Sequence, residues 1–341
     1  MNNYDSILIV SFGGPEGPDD VMPFLENVLR GKPVPKERML EVAEHYQHFG
    51  GISPINEQNR QLIAALETEL KNAGIDLPVY WGNRNWHPML PDTLEQMKKD
   101  GKQRALAFFT SMFSCYSGCR QYRENISDAQ DTVGDQAPRV EKVRKGFNHP
   151  LFIEAQCDLV QKATAGLPDE TRLLFTAHSI PMSMSDNSNY VKQLTEASRL
   201  VADGVGHDNW ELVYQSRSGP PQQPWLEPDI CDRMEELIAA GDKHFVVVPI
   251  GFISDHMEVL FDLDTEAKEL CDKHGVGFTR VPSLGTHPSF IKMIRQLLEE
   301  RLHGSDERPF VGTYGASHDV CPVDCCLYPR PQRPSRPAAS S

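Results

Sequence analysis

Ile7-Leu8-Ile9-Val10-Ser11-Phe12-Gly13-Gly14-Pro15, near the start of the chain, has a counterpart half-way along in Phe175-Thr176-Ala177-His178-Ser179-Ile180-Pro181. Each is a short apolar run that ends in small, turn-forming residues, with proline three positions after Phe12 and after His178. Apolar runs of this length bounded by turn residues predict strands. Working outward, a helix is expected around Asp20–Leu29, and Pro78–Trp81, Ala105–Phe109 and Val140–Val143 read as further strands. The second half repeats the rhythm at Leu173–Ala177, Leu212–Tyr214, Phe245–Val248 and Phe278–Val281. Strands alternating with helix-period stretches predict an α/β chain, with parallel sheets covered by helices on both faces. A second echo supports duplication: His149-Pro150-Leu151-Phe152-Ile153 and His287-Pro288-Ser289-Phe290-Ile291 each open a helix that closes its half.

The expected architecture is therefore two lobes, each built on a four-stranded parallel sheet, over residues 1–150 and 151–286. Helix 287–303 is expected to pack back on the first lobe. Residues 304–341 form a cysteine-containing tail whose Pro/Arg/Ser/Ala-rich end, from Pro329 to Ser341, cannot bury apolar surface and is expected to be disordered. Ligands of open α/β sheets sit at the carboxyl ends of the strands. A cleft lined by the loops after Phe12 and after His178 is the default site.

Composition narrows the function. A chain of 341 residues with a 39% hydrophobic set is long enough to bury a core without staples, which excludes disordered, collagen-like and disulfide-knot classes. The excess of 48 Asp and Glu over 34 Lys and Arg, a net charge of −14, repels phosphate backbones and excludes nucleic acid as a general partner. Any anionic substrate must meet a local basic patch. The longest apolar run, Phe245 to Ile253, is broken by Pro249 and Gly251 and falls well short of the roughly 20 residues of a membrane-spanning helix. The start of the chain has no basic segment leading into an apolar one, so a cytoplasmic location is expected, with peripheral contact to a membrane or to another enzyme left open. Eight cysteines in such a compartment point to free, metal-bound or cluster-bound thiols rather than disulfides.

Four groups of residues can do chemistry. His178 ends a strand, where an imidazole can accept a proton or offer nitrogen to a metal. After the strand at Phe245–Ile250, a helix beginning near Met257 carries Glu258, Asp262 and Glu266 every four residues, with Leu260, Leu263, Ala267 and Leu270 expected on the buried face. A solvated acidic face is the plain alternative. Next to an imidazole, however, stacked carboxylates outline a path for a divalent cation, and one nitrogen among oxygens shifts preference toward transition metals such as Fe²⁺. Arg30-Gly31-Lys32, Tyr46–Pro54 and Cys115–Arg123 combine arginine, tyrosine and small residues in a way that suits a flat aromatic ligand bearing carboxylates. The fourth group is the tail cluster Cys321, Cys325 and Cys326, one thiolate short of the four that an iron–sulfur cluster or structural zinc needs. Cys157 is a plausible fourth, and Cys115 and Cys119 are rivals for the place.

Together these stretches resemble the ferrochelatase family, the enzymes that insert ferrous iron into a porphyrin. The resemblance spans about residues 5 to 305. It rests on Ser11–Pro15, Gly50-Gly51-Ile52-Ser53-Pro54, Gly82-Asn83-Arg84-Asn85-Trp86-His87-Pro88, Ala177–Met182, Gln215-Ser216-Arg217-Ser218-Gly219-Pro220 and Ser254-Asp255-His256-Met257-Glu258. It is strongest toward the actinobacterial-type branch. It implies two Rossmann-like lobes around a porphyrin cleft, a catalytic His178 with Glu258, and a substrate-iron route through His178, Glu258, Asp262 and Glu266. It further implies porphyrin contacts from Phe12, Arg30, Ser53 and Tyr122, and a [2Fe–2S] cluster on Cys157, Cys321, Cys325 and Cys326. Phe12 stands where some bacterial members carry a tyrosine, so axial ligation from that loop stays open. The resemblance favours coproporphyrin III over protoporphyrin IX as substrate, in haem biosynthesis by a monomer. A non-catalytic tetrapyrrole or metal carrier and a cobalt or nickel chelatase are the remaining alternatives.

Overall fold

The computed structural model describes residues 3–31 and 34–328. Among the described residues, eight strands form two four-stranded sheets. β1 (Ser6–Ser11), β2 (Val79–Asn83), β3 (Arg104–Phe109) and β4 (Arg139–Lys142) are ordered β2-β1-β3-β4. β5 (Arg172–His178), β6 (Trp210–Gln215), β7 (His244–Val248) and β8 (Gly277–Arg280) are ordered β6-β5-β7-β8, and every pairing is parallel. The same strand order twice matches the duplication read from the two opening motifs.

Helices α1 (Val21–Val28), α2 (Lys36–His48), α3 (Ile55–Asn72), α4 (Leu90–Lys99), α5 (Gln121–Val133) and α6 (Pro150–Thr164) accompany the first sheet in sequence. The second is followed by α7 (Met182–Asp186), α8 (Tyr190–Val205), α9 (Ile230–Ala240), α10 (Met257–Val259), α11 (Lys268–His274) and α12 (Pro288–Leu302). α6 and α12 begin alike. The imidazole Nδ1 of His149 accepts from Leu151 N–H at 3.2 Å, and that of His287 accepts from Ser289 N–H at 3.2 Å. Proline follows directly in both, where its missing N–H costs nothing.

Strand faces alternate between two apolar environments. Ile7 and Ile9 of β1, and Leu173 and Phe175 of β5, point into one continuous core that α3, α6, α8 and α12 also fill. Leu8 and Val10 face a separate cluster under α4 and α5, and Leu174 faces another under α9 and the helix after β7. Both sheets are thus covered on both faces, as all-parallel sheets require. The closing helices cross over: α6 packs on α8 beside the second sheet, whereas α12 packs on α3 and β3 of the first, and the two pack on each other.

Beyond α12 the chain is not a loose tail up to residue 328. Asn148 bonds it through Val311 N–H at 2.9 Å and the Tyr314 carbonyl at 2.6 Å, and Glu196 accepts from Thr313 N–H at 2.6 Å. The expected disorder of residues 329–341 lies outside the described residues.

Candidate functional site

In each sheet the chain leaves the first strand to one side and returns on the other, so a crevice opens beyond the carboxyl ends of β1 and β3, and of β5 and β7. The loops at these ends meet across the molecule. Asp255 N–H, after β7, donates to Gln58 Oε1 of α3 at 2.8 Å, and Phe261 stacks on His45 of α2 with centroids 3.9 Å apart. A shallow hollow at Tyr4, Arg104 and Arg139 lies at the opposite strand ends and is remote from this chemistry.

His178 is the last residue of β5, in register with Gln215 at the end of β6. The loop after β7 comes close because Gly251 has no side chain: a Cβ there would lie 2.7 Å from Ala177 Cβ. That approach sets Glu258 Oε2 3.4 Å from His178 Nε2, with the two side chains 48% and 32% exposed. The pair is therefore at a cleft surface and not in a core. Nδ1 of His178 faces the Ser179 carbonyl, and Tyr190 Oη donates to the carbonyl of His178 at 3.1 Å. With acceptors on both ring nitrogens, the imidazolium is favoured. Burial opposes the charge, but Glu258 and the Ser179 carbonyl outweigh it and raise the His178 pKa. Burial likewise works against the Glu258 carboxylate, yet His178 holds its pKa down to about 2. His256, desolvated and next to His178, is shifted the other way, toward the neutral ring.

The helix after β7 continues as a wide π turn over Leu260–Ala267 before α11. Its buried residues are Met257 and then Val259, Leu263, Ala267 and Cys271 at every fourth position, whereas Leu260 and Leu270 are only half-buried. The expected apolar face shifts because π winding takes more residues per turn than α winding. The same widening keeps residues four apart on one side, and Glu258, Asp262 and Glu266 lie there. Asp262 accepts from Ser216 Oγ and from Gln215 Nε2 at 3.3 Å. Burial, then the charges of Glu258 and Glu266 working against the Ser216 bond, push its pKa up to about 7. Glu266, at the outer end, is raised by burial and by Asp229.

Of the expected porphyrin contacts, Phe12 is half-buried with the Arg84 guanidinium 5.6 Å from its ring centroid. Tyr122 is buried, stacked on Phe109 at 5.0 Å and covered by the same Arg84 at 4.5 Å. Ser53 is buried against Gly14, and Arg30 is exposed, donating to Asn27. Arg84, Ser216, Gln215 and His256 join the site without having been singled out individually. Tyr46, whose electrostatics couple to Glu258 across the cleft, belongs with them. All lie inside quoted motifs, and the one distinguishing signal is the φ of +61° at Ser216, a left-handed turn at a non-glycine residue.

Of the expected cluster ligands, Cys157 lies on α6 and Cys321, Cys325 and Cys326 lie in the tail. Cys157 points between α6 and α8, where its thiol donates to the Val201 carbonyl at 3.7 Å and lies over Gly204. The tail reaches the segment that carries Cys119, where Arg120 Nη1 donates to the Val323 carbonyl at 2.7 Å. Ligand atoms of His318, Cys321 and Cys325 lie within 4.8 Å of one another, and Cys325 Sγ is 3.6 Å from Cys326 Sγ. Soft sulfur donors converging in this way suit a thiolate-bound metal centre.

The fold is shared by a chelatase of known structure. The sirohydrochlorin chelatase SirB of Bacillus subtilis, solved with cobalt, superposes with a TM-score of 0.52 at 12% identity, over 88% of this chain and 96% of that one. The ferrochelatase family profile matches residues 4–302. A ferrochelatase of Rhodopirellula baltica is 65% identical over 97% of this chain and 95% of its own length. A coproporphyrin III ferrochelatase of Streptomyces coelicolor is 50% identical over 99% of this chain and 96% of its own. The chain belongs to the ferrochelatase family. No helix among the described residues is long and apolar enough to cross a membrane.

Proposed function

We propose that this ferrochelatase inserts Fe²⁺ into coproporphyrin III, with His178 and Glu258 at the reacting centre. The observation that carries the residue assignment is the 3.4 Å approach of His178 Nε2 to Glu258 Oε2 at the cleft surface, continued by the carboxylate of Asp262. The relatives named coproporphyrin III ferrochelatases at about half identity support the substrate.

Metallation exchanges two pyrrole N–H protons for one Fe²⁺. Neutral His178 keeps its proton on Nδ1, facing the Ser179 carbonyl, and its Nε2 lone pair then faces a carboxylate. Taking a pyrrole proton on Nε2 replaces that repulsion with an ion pair, which makes His178 a stronger base than a free imidazole. Asp262, whose pKa lies at about 7, is poised to pass on a proton or to hold the incoming cation, and Glu266 extends the route outward. Bending the macrocycle exposes its nitrogens to one face, and remote contacts with Phe12, Arg30, Ser53 and Tyr122 would supply that strain.

In this reading the tail thiols hold a [2Fe–2S] cluster, supported by the convergence of Cys321, Cys325 and Cys326. When bound, such a cluster supplies a one-electron redox centre and a cross-link between tail and body.

Parallel insertion assays with coproporphyrin III and protoporphyrin IX test the substrate, and faster turnover of protoporphyrin IX overturns it. His178→Ala should abolish insertion while porphyrin binding survives. Near-normal insertion by that variant overturns the residue assignment.

A further inference from the structure

We infer that the tail thiols close their metal centre on Cys119, and that Cys157 is not a ligand. The inference rests on the cluster reading above for the identity of the metal, but the choice of ligand stands on separate observations.

The first is thiol geometry. A tetrahedral metal with sulfur bonds of about 2.3 Å places its sulfurs about 3.8 Å apart. Cys325 and Cys326 sulfurs are separated by 3.6 Å, and ligand atoms of Cys321 and Cys325 lie within 4.8 Å of each other. A two-iron cluster requires two such pairs, one for each iron, and Cys119 with Cys321 would form the second. His318 Nε2, 3.8 Å from Cys325 Sγ, stands beside them as a fifth donor. Cys157, by contrast, has its thiol bonded to the Val201 carbonyl in the crossing of α6 and α8.

The second is how the tail is fastened. Arg120 Nη1, one residue after Cys119, donates to the carbonyls of Val323 at 2.7 Å and Cys325 at 3.2 Å. Lys142 Nζ holds the His318 carbonyl at 3.2 Å, and Tyr328 packs edge-on against Tyr116. These contacts secure the cysteine loop at one end to β4 and at the other to the segment that carries Cys119.

The third is a buried cation. Lys145 is 5% exposed, and its Nζ donates to the Ser111 carbonyl at 2.6 Å and the Gly118 carbonyl at 2.7 Å. Among the described residues it has no carboxylate partner. A buried ammonium without an anion is costly. Four thiolates around a [2Fe–2S]²⁺ core carry two net negative charges, and the Gly118 carbonyl that Lys145 holds directly precedes Cys119. The loaded centre supplies the missing anion.

The experiment compares full-length wild type, Cys119→Ser and Cys157→Ser, all purified anaerobically. Iron, zinc and acid-labile sulfide are counted, and the visible spectrum and the electron paramagnetic resonance of the reduced protein are recorded. Wild type and Cys157→Ser should hold about two irons and two sulfides, and Cys119→Ser should lose at least fivefold. As a control for folding, wild type is alkylated before and after metal removal: Cys119 should become reactive only afterwards, with no change at Cys157. A centre retained in Cys119→Ser but lost in Cys157→Ser overturns the ligand assignment, as does a change in alkylation at Cys157 alone. Zinc without sulfide, lost only in Cys119→Ser, supports the ligand and overturns the cluster. Wild type holding no metal overturns both.

Discussion

Glu258→Gln keeps the shape of the side chain and removes its charge from a point 3.4 Å from His178 Nε2. Unit charges at that distance attract by about 1 kcal/mol in water and about 5 kcal/mol at an effective dielectric of 20. With 32% and 48% of the two side chains exposed, solvent screening places the coupling near the lower end, at roughly 1–2 kcal/mol. This coupling opposes a burial effect that by itself favours the neutral ring. The imidazole midpoint of His178, followed by NMR titration, should therefore fall in the variant by the equivalent of that energy. The two partners also limit where the pair stabilises the fold. The depressed Glu258 contributes above its ordinary value of 4.5 and loses that contribution as pH falls toward 2. The raised His178 contributes fully below 6.5 and loses its share as pH rises through its folded value. In urea titrations the wild-type advantage over Glu258→Gln should thus peak between 4.5 and 6.5. An unmoved midpoint, together with an unchanged insertion rate, refutes the coupling.

If the Asp262 carboxylate helps to pass the cation, insertion should rise as pH climbs through about 7, and Asp262→Asn should flatten that acid limb in a pH–rate profile. Ser216→Ala, which removes the bond that lowers the Asp262 pKa, should move the limb to higher pH. Arg144 pairs with Glu300 through bonds of 2.8 and 2.9 Å with both side chains buried, so Arg144→Met should cost about 3–5 kcal/mol in chemical denaturation. The same change removes the Arg144 bond to the Pro309 carbonyl, so limited proteolysis should cut the tail sooner. Gly251→Val presses on Ala177 and should cost about 1–3 kcal/mol while slowing insertion, because the loop that carries Glu258 must shift.

The strands were legible because buried parallel strands are apolar nearly throughout, as at Ile7–Val10 and Phe245–Val248. β6 was read short, as Leu212–Tyr214, because its charged residue Glu211 is held laterally by Arg172 and Arg233 and not by solvent. The carboxylate ladder could be seen as a spacing of four. The π winding that aligns it could not, because sequence periodicity near that value fits α and π turns alike. Cys157 was the plausible fourth ligand, with Cys115 and Cys119 as rivals. What favours Cys119 in our reading is the anchoring of the tail by Asn148, Glu196 and Arg120, residues 117 to 203 positions away, and such long-range bonds leave no local pattern.

The crossing of α6 and α12 has a mechanical consequence. Each closing helix lies with the opposite sheet, so opening the mouth would shear two interlocked helices through a shared core of Phe152, Phe290 and Leu297 instead of flexing a linker. A hinge yields to its ligand, but a braced jaw makes the ligand yield. In this molecule the bending of a planar ring would be imposed by a frame too stiff to relax around it.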